Sequence, residues 1–402
     1  MRWAGLLLSI LPFSLGKDII KGANFFGLET QLFNTDYSWL HPASYYIDEL
    51  GRRGFNYLRV PFSAGYVRRG DFTVMDEIFE SAKNNNMFVL LDWHRNYNVN
   101  NQEDWLEGIS LADYMAIYKK LLSQYVFNPQ LRMVGLFNEY KGNDAVFWKQ
   151  QMEHVVLELE QSFPNRFIWV IGCPQWSGNC HDMDWSHLPF YDRIRYDIHK
   201  YIFSIGGNRD YEEDWLFSFP KDHSKVIVGE WGFFSQKPEQ VHWAERFVKW
   251  LKEHNIHNSF FWVSVSNSQD TGGLWIDGTT FDEVKYNVLK DLWNETVINH
   301  NRTLTFRGSS YPRFLVSNGS DEEVVMKYSP IPDQGCYKRL NNSQEDGDED
   351  DFDEDDDLLR HLQGWRRQRR KCNLIDETYK CVFHRACAWN KDRGCFPLKH
   401  CE

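Results

Sequence analysis

The stretch GLFNEY, residues 135–140, is an apolar run of strand length that ends on Asn138 and Glu139. VIVGEWG, residues 226–232, has the same form and delivers Glu230. A carboxylate that directly follows such a run is carried to the lip of a sheet, where a substrate can reach it. Two carboxylates facing one cleft have the chemistry to break a glycosidic bond. One protonates the leaving oxygen, and the other, roughly 5 Å away, attacks the anomeric carbon. Taken singly, either glutamate could equally be a structural ion pair at a sheet edge.

Outward from these two runs, short apolar segments alternate with amphipathic ones. Strands are expected at 23–28, 57–61, 87–92, 133–138, 167–172, 194–199, 226–230 and 259–263. Helical periodicity is clearest at 72–85, 111–126, 145–163, 241–254 and 284–293. The alternation implies parallel strands joined by crossover helices, and eight such units imply a closed (β/α)8 TIM barrel rather than an open sheet. The chain has 402 residues, well beyond the roughly 250 that such a barrel needs. The barrel is assigned to residues 17–300.

In this architecture the chemistry lies at the carboxyl ends of the strands. The residues found there are Arg59, His94, Asn138 with Glu139, His199 with Tyr201, Glu230 and Trp262. His199 and Tyr201 are two apart on one strand and so share a face. They can steady a glutamate, or they can be a core histidine packed beside a tyrosine. Arg59 can orient Glu230 through a charge-assisted hydrogen bond, or pair within the barrel floor. Trp262 offers a flat face for a sugar ring, or is one more core tryptophan among 17.

The ordered set RVPFS (59–63), LLDWHRN (90–96), Asn138-Glu139, YDIHKY (196–201), GEWG (229–232) and SFFW (259–262) resembles glycoside hydrolase family 5, the cellulase family. ANFFGLET (23–30) and NSQDTGG (267–273) resemble segments of its secreted bacterial endo-β-1,4-glucanases. The resemblance implies Glu139 as general acid/base, Glu230 as nucleophile, and Asn138 as the hydrogen-bond partner of the sugar 2-hydroxyl. Arg59, His94, His199, Tyr201 and Trp262 match the remaining site positions as substrate-binding residues, and neither metal nor other cofactor is implied. One departure stands out: the family usually has proline after the acid/base, where this chain has Tyr140, so a constraint on the loop is lost. The segment 29–41 also departs from the bacterial pattern. Trp39 and Trp105 are the candidates for outer aromatic subsites.

The flanks read differently. Arg2 followed by an apolar stretch at 4–15, with small residues at Ser14 and Gly16, has the form of a signal peptide over residues 1–16. No later segment has the apolar length of a membrane helix. A secreted chain beginning near Lys17 is therefore expected. Its eight cysteines fit an oxidising compartment: Cys173 and Cys180 form a close pair, and Cys336, Cys372, Cys381, Cys387, Cys395 and Cys401 lie beyond the barrel. None of these has the C-x2-C spacing of a zinc site. Sequons at Asn294, Asn301, Asn318 and Asn341 mark glycan acceptors near and within an extension at 301–344.

Much of the net charge of −12 comes from the acidic run 345–357, which precedes a basic stretch within a charged linker at 345–371. The acidic block argues against nucleic-acid binding, since it would repel phosphate. Within the basic stretch, RQRR (367–370) has the form of a processing site. Residues 372–402 have the size of a small disulfide-stapled module whose aromatics either pack or contact sugar. The sequence thus reads as a secreted, monomeric retaining β-glycosidase, an endo-β-1,4-glucanase acting on a β-linked polysaccharide. The alternatives are another family 5 specificity such as β-mannanase, or a non-catalytic carbohydrate-binding barrel.

Overall fold

The computed structural model describes residues 19–294 except 31–32, 36–37, 39, 97–103, 205–210 and 266–270, together with four short strands further along the chain. Eight parallel strands close on themselves in sequence order. They are β1 (Lys21–Asn24), β2 (Tyr57–Ser63), β3 (Phe88–Arg95), β4 (Leu131–Gly135), β5 (Ile168–Gly172), β6 (Ile194–Lys200), β7 (Val226–Trp231) and β8 (Ser259–Phe261). Pairing of β1 with β8 completes the ring. The expected (β/α)8 barrel is present.

Helices α1 (Ala43–Arg52), α2 (Ala64–Arg69), α3 (Thr73–Asn84), α4 (Leu111–Tyr125), α5 (Ala145–Ser162), α6 (Tyr211–Ser218), α7 (Pro238–Glu253) and α8 (Glu283–Leu292) cover the outside. Several begin where a side chain satisfies an orphan backbone N–H. Ser110 Oγ accepts from Asp113 N at 3.1 Å to start α4, and Asp144 accepts from Phe147 N at 2.9 Å to start α5. Pro238, with no N–H to satisfy, opens α7. The helices α1, α2 and α6 lie outside the periodic segments read from sequence. The buried stripe of α1 is Ala43, Tyr46, Ile47 and Leu50, which begins on alanine and includes a tyrosine. The other two span too few residues for a period to register.

Alternation along the strands stacks the barrel interior in layers. The floor is apolar: Tyr57, Leu90, Met133, Ile168, Val170, Ile227 and Phe260 form one buried cluster with Ile20. Two residues further along the same strands the interior becomes charged, because Arg59 follows Tyr57, Asp92 follows Leu90, and Asp197 enters from β6. Gly229 leaves room for that layer. A Cβ there would lie 1.8 Å from Asp197 Oδ1. One further step brings His94, His199 and Glu230 to the mouth. The larger apolar core lies between strands and helices and contains Trp93, Trp148, Trp169 and Trp231.

Some strand ends differ from expectation. β1 stops at Asn24 rather than running to 28: the backbone is interrupted around Gly27, which adopts φ 140°, and returns to β2 only in a single bridge of Leu28 to Phe62. β4 stops at Gly135, so Asn138 and Glu139 ride on the connection to α5. Trp262 follows β8 directly, and its peptide bond to Val263 is cis.

A second unit spans Ile298–Glu402. Its described parts are the antiparallel pairs β9 (Val316–Ser317) with β10 (Glu323–Val324), and β11 (Cys387–Asn390) with β12 (Gly394–Pro397). The leader at 1–16, the sequons beyond Asn294, the linker at 345–371, Trp39, and Cys336, Cys372, Cys381 and Cys401 lie outside the described residues. Among the described residues, no helix is long and apolar enough to cross a membrane.

Candidate active site

The eight site residues expected from sequence converge at the carboxyl ends of the strands. Arg59, fully buried on β2, is the hub. Its Nη1 donates to Glu230 Oε1 at 2.7 Å and to Asn24 Oδ1 at 2.8 Å, while Nη2 donates to Asn138 Oδ1 at 2.6 Å. Asp92 lies 3.1 Å and Asp197 3.7 Å from Nη2. Burial works against the guanidinium charge. The Asp92, Glu230 and Asp197 carboxylates outweigh it and raise the pKa of Arg59 further, so the cation is permanent.

Glu230 is held from both sides. Arg59 takes one oxygen, and the Tyr201 hydroxyl donates to Oε2 at 2.8 Å. Burial, reinforced by the Glu230 charge, pushes the Tyr201 phenol well above its ordinary pKa and keeps it a donor. Across the cleft, Glu139 Oε1 accepts from His199 Nδ1 at 2.8 Å, and the same nitrogen lies 3.6 Å from Glu230 Oε2. Burial opposes a charge on His199. The Glu230 and Asp197 carboxylates more than compensate, and its pKa is raised to about 10. At neutral pH an imidazolium therefore stands between the two glutamates.

Glu139, His199 and Glu230 each place a ligand atom within 4.8 Å of the others. That clustering has the compactness of a metal site. A protonated imidazole, however, has no lone pair to give, so the set does not suit a cation in this ionisation state.

His94 behaves in the opposite sense. Burial lowers its pKa well below 6.5, and the neutral ring donates Nδ1–H to Asp92 at 2.8 Å. Its Nε2 lies 3.5 Å from Asn138 Nδ2. Since Arg59 occupies the Asn138 oxygen, the amide group of Asn138 is turned toward the cleft. Trp262, 7% exposed, packs parallel to His94 at 5.5 Å and edge-on to Phe26 at 5.7 Å, so it lines the cleft wall instead of the helix-facing core. The cleft encloses about 1090 Å³.

Sequence reasoning missed Asn24, Asp92 and Asp197, which surround Arg59 from below. Their signal was present: LLDWHRN and YDIHKY each carry an acid within a strand that is buried along its length, where a buried counter-charge makes it tolerable. It also missed Trp176 and Phe203, 50% and 57% exposed at the cleft edge. Trp105, a candidate subsite, packs instead against Tyr114, Phe137 and Trp148. Tyr140 does not leave its loop loose. Its ring stacks on Trp148 at 4.4 Å, and its carbonyl accepts from Trp176 N at 2.9 Å.

The family described as cellulase (glycosyl hydrolase family 5) matches residues 16–268. An endoglucanase of Paenibacillus polymyxa is 23% identical over 332 residues, covering 68% of this chain and 83% of that relative. The major extracellular endoglucanase of Xanthomonas campestris pv. campestris is 24% identical over 327 residues, covering 68% and 67%. The catalytic domain of the Xanthomonas campestris enzyme shares the fold with a TM-score of 0.61 at 22% identity, covering 69% of this chain and 95% of that one. So does an endocellulase variant from Pyrococcus horikoshii in complex with cellotetraose, with a TM-score of 0.60 at 20% identity and coverage of 69% and 93%.

Proposed function

The chain belongs to glycosyl hydrolase family 5 and is a glycoside hydrolase, and from that premise we propose that it is a secreted, retaining endo-β-1,4-glucanase working by double displacement. One observation carries the proposal: Glu139 and Glu230 come together at the mouth with one carboxylate oxygen of each within 4.8 Å of the other. That separation suits a nucleophile and an acid/base, whereas an inverting pair stands further apart, at about 6.5–9.5 Å, to admit a water.

In the first step a Glu230 oxygen attacks the anomeric carbon while Glu139 passes its proton to the departing glycosidic oxygen. In the second, Glu139 takes a proton from water, the water oxygen attacks the same carbon, and the bond to Glu230 breaks. Two inversions return the β-anomer. Arg59 and Tyr201 fix Glu230 on opposite sides, so little reorientation precedes attack. The cleft-facing amide of Asn138 is placed to hold the sugar 2-hydroxyl, and Trp262 to stack on the reacting ring.

A glucan substrate is supported by the relatives named endoglucanase and by the cellotetraose bound to the related endocellulase. Secretion is supported by the apolar leader ahead of Lys17. N-terminal sequencing of protein recovered from culture medium should begin near that residue.

Kinetics separate the two glutamates. Glu230→Ala should abolish turnover on every glycoside, whereas Glu139→Ala should retain partial activity on an activated aryl glycoside, whose departure needs no proton. Azide should then rescue Glu139→Ala and yield a β-glycosyl azide. An α-anomer as the first product of the wild-type enzyme, followed by NMR, would refute double displacement. Sizing products from glucan and mannan panels separates glucanase from mannanase, and absence of any new reducing ends would leave the carbohydrate-binding barrel.

A further inference from the structure

After β5 the chain runs CPQWSGNC, residues 173–180, and the two fully buried cysteines are joined in a disulfide. Three consecutive residues without the freedom of glycine lie in the left-handed region: Gln175 at φ 57°, Trp176 at 56° and Ser177 at 54°. Such a run persists only where its surroundings hold it. Here they do. Gln175 N donates to Gly142 O at 2.9 Å, Trp176 N to Tyr140 O at 2.9 Å, and Ser177 Oγ to Asn138 O at 2.6 Å. Three successive loop residues thus grip every second carbonyl of the segment that carries Glu139.

The loop also reaches the partner of Glu139. Ser177 O accepts from His199 N at 2.9 Å, so one buried residue ties the acid/base segment and the imidazolium strand together. Lys200 Nζ, next to His199, donates to Gly178 O at 2.8 Å and to Asp214 Oδ2 on α6 at 3.1 Å. Cys180 N donates to Ser218 O at the end of the same helix.

Resting on the assignment of Glu139 as acid/base, we propose that the disulfide-closed loop 173–180 is the positioning element of proton transfer, with Ser177 as the residue that sets Glu139 against His199. Glu230 has its own supports in Arg59 and Tyr201, so the loop governs one half of the reaction. Loosening it should impair protonation of the leaving group and spare attack. The observable is a split in kcat/KM, which reports the first displacement.

Ser177→Ala and the double variant Cys173→Ala/Cys180→Ala are each compared with wild type on cellopentaose and on dinitrophenyl β-cellobioside, with Glu139→Ala as reference. We expect both variants to lose about tenfold on cellopentaose and to stay within about twofold on the aryl glycoside, because small misplacement of a catalytic group carries penalties of this order. A parallel fall on both substrates, or none on either, overturns the proposal. If the cysteine variant does not fold, Ser177→Ala decides alone, since it leaves the disulfide closed. Absence of a split in Glu139→Ala would overturn the acid/base assignment and this inference with it. A split there without one in Ser177→Ala overturns this inference only.

Discussion

Arg59 shows how one residue can serve both stability and chemistry. Its planar fork meets Glu230, Asn24, Asn138 and Asp92 at once, a set of directions that an ammonium cannot reproduce. Arg59→Lys should therefore keep the charge yet strand some of these partners. Loss of about 3 kcal/mol in denaturant unfolding is expected, near the lower end for breaking a buried pair. A fall of at least about a hundredfold in kcat/KM should accompany it. Preserved activity would mean that charge alone positions Glu230. His199 permits a test through pH. Its folded pKa of about 10 lies above the unfolded 6.5, so its contribution to stability is complete below pH 6.5 and lost as pH rises through 10. Lys285, lowered to about 8 mainly by burial, acts in the opposite sense over part of that range, and it cancels when two variants are compared. The melting-temperature difference between wild type and His199→Asn should shrink steadily from pH 6.5 to 10. A constant difference would show that His199 is not the titrating group.

At the scale of elements, the connection from β4 to α5 decides how Glu139 is held. The proline usual in the family fixes φ, and here an aromatic contact does the corresponding work, with Tyr140 lying flat on Trp148. Tyr140→Ala should cost about 2–3 kcal/mol through the lost packing, whereas Tyr140→Phe keeps the ring and should stay within about 1 kcal/mol. Equal losses in the two would place the contribution in the hydroxyl. This element also marks where sequence was informative. Most strands were legible as short apolar runs bounded by a change in pattern, whereas β1 (KGAN) shares only residues 23 and 24 with its expected segment and β6 (IRYDIHK) is rich in charged residues. The mouth residues were legible because they stand where those runs end. Strand ends themselves were not: β4 stops short of Asn138, and β1 ends at Asn24, ahead of a turn in which Gly27 lies against the backbone of Asn34 and Thr35. The supporting acids Asp92 and Asp197 were missed for a related reason. A carboxylate inside a strand declares its partner only when the barrel closes and Arg59 comes within reach from β2.

For the whole molecule, the described site residues all belong to the first compact unit. Among the described residues, the side chains that Arg59 meets (Asn24, Asp92, Asn138, Asp197 and Glu230) all belong to the barrel, whose ring closes through β1 and β8, and α8 ends at Leu292. The first compact unit extends to Val297. A chain ended there should keep its melting temperature and hold kcat/KM on a soluble glucan within about twofold, since Arg59, Tyr201 and His199, the described partners of Glu230 and Glu139, are all retained. Insoluble polymer is the discriminating substrate. If the aromatics of 372–402 contact carbohydrate, tethering raises the effective concentration of the barrel at the polymer surface, and truncation should cut activity there about tenfold or more while leaving soluble turnover intact. Equal rates on both substrates would assign the tail no role in substrate capture. A loss on soluble glucan would show that residues beyond 297 contribute to the catalytic unit itself.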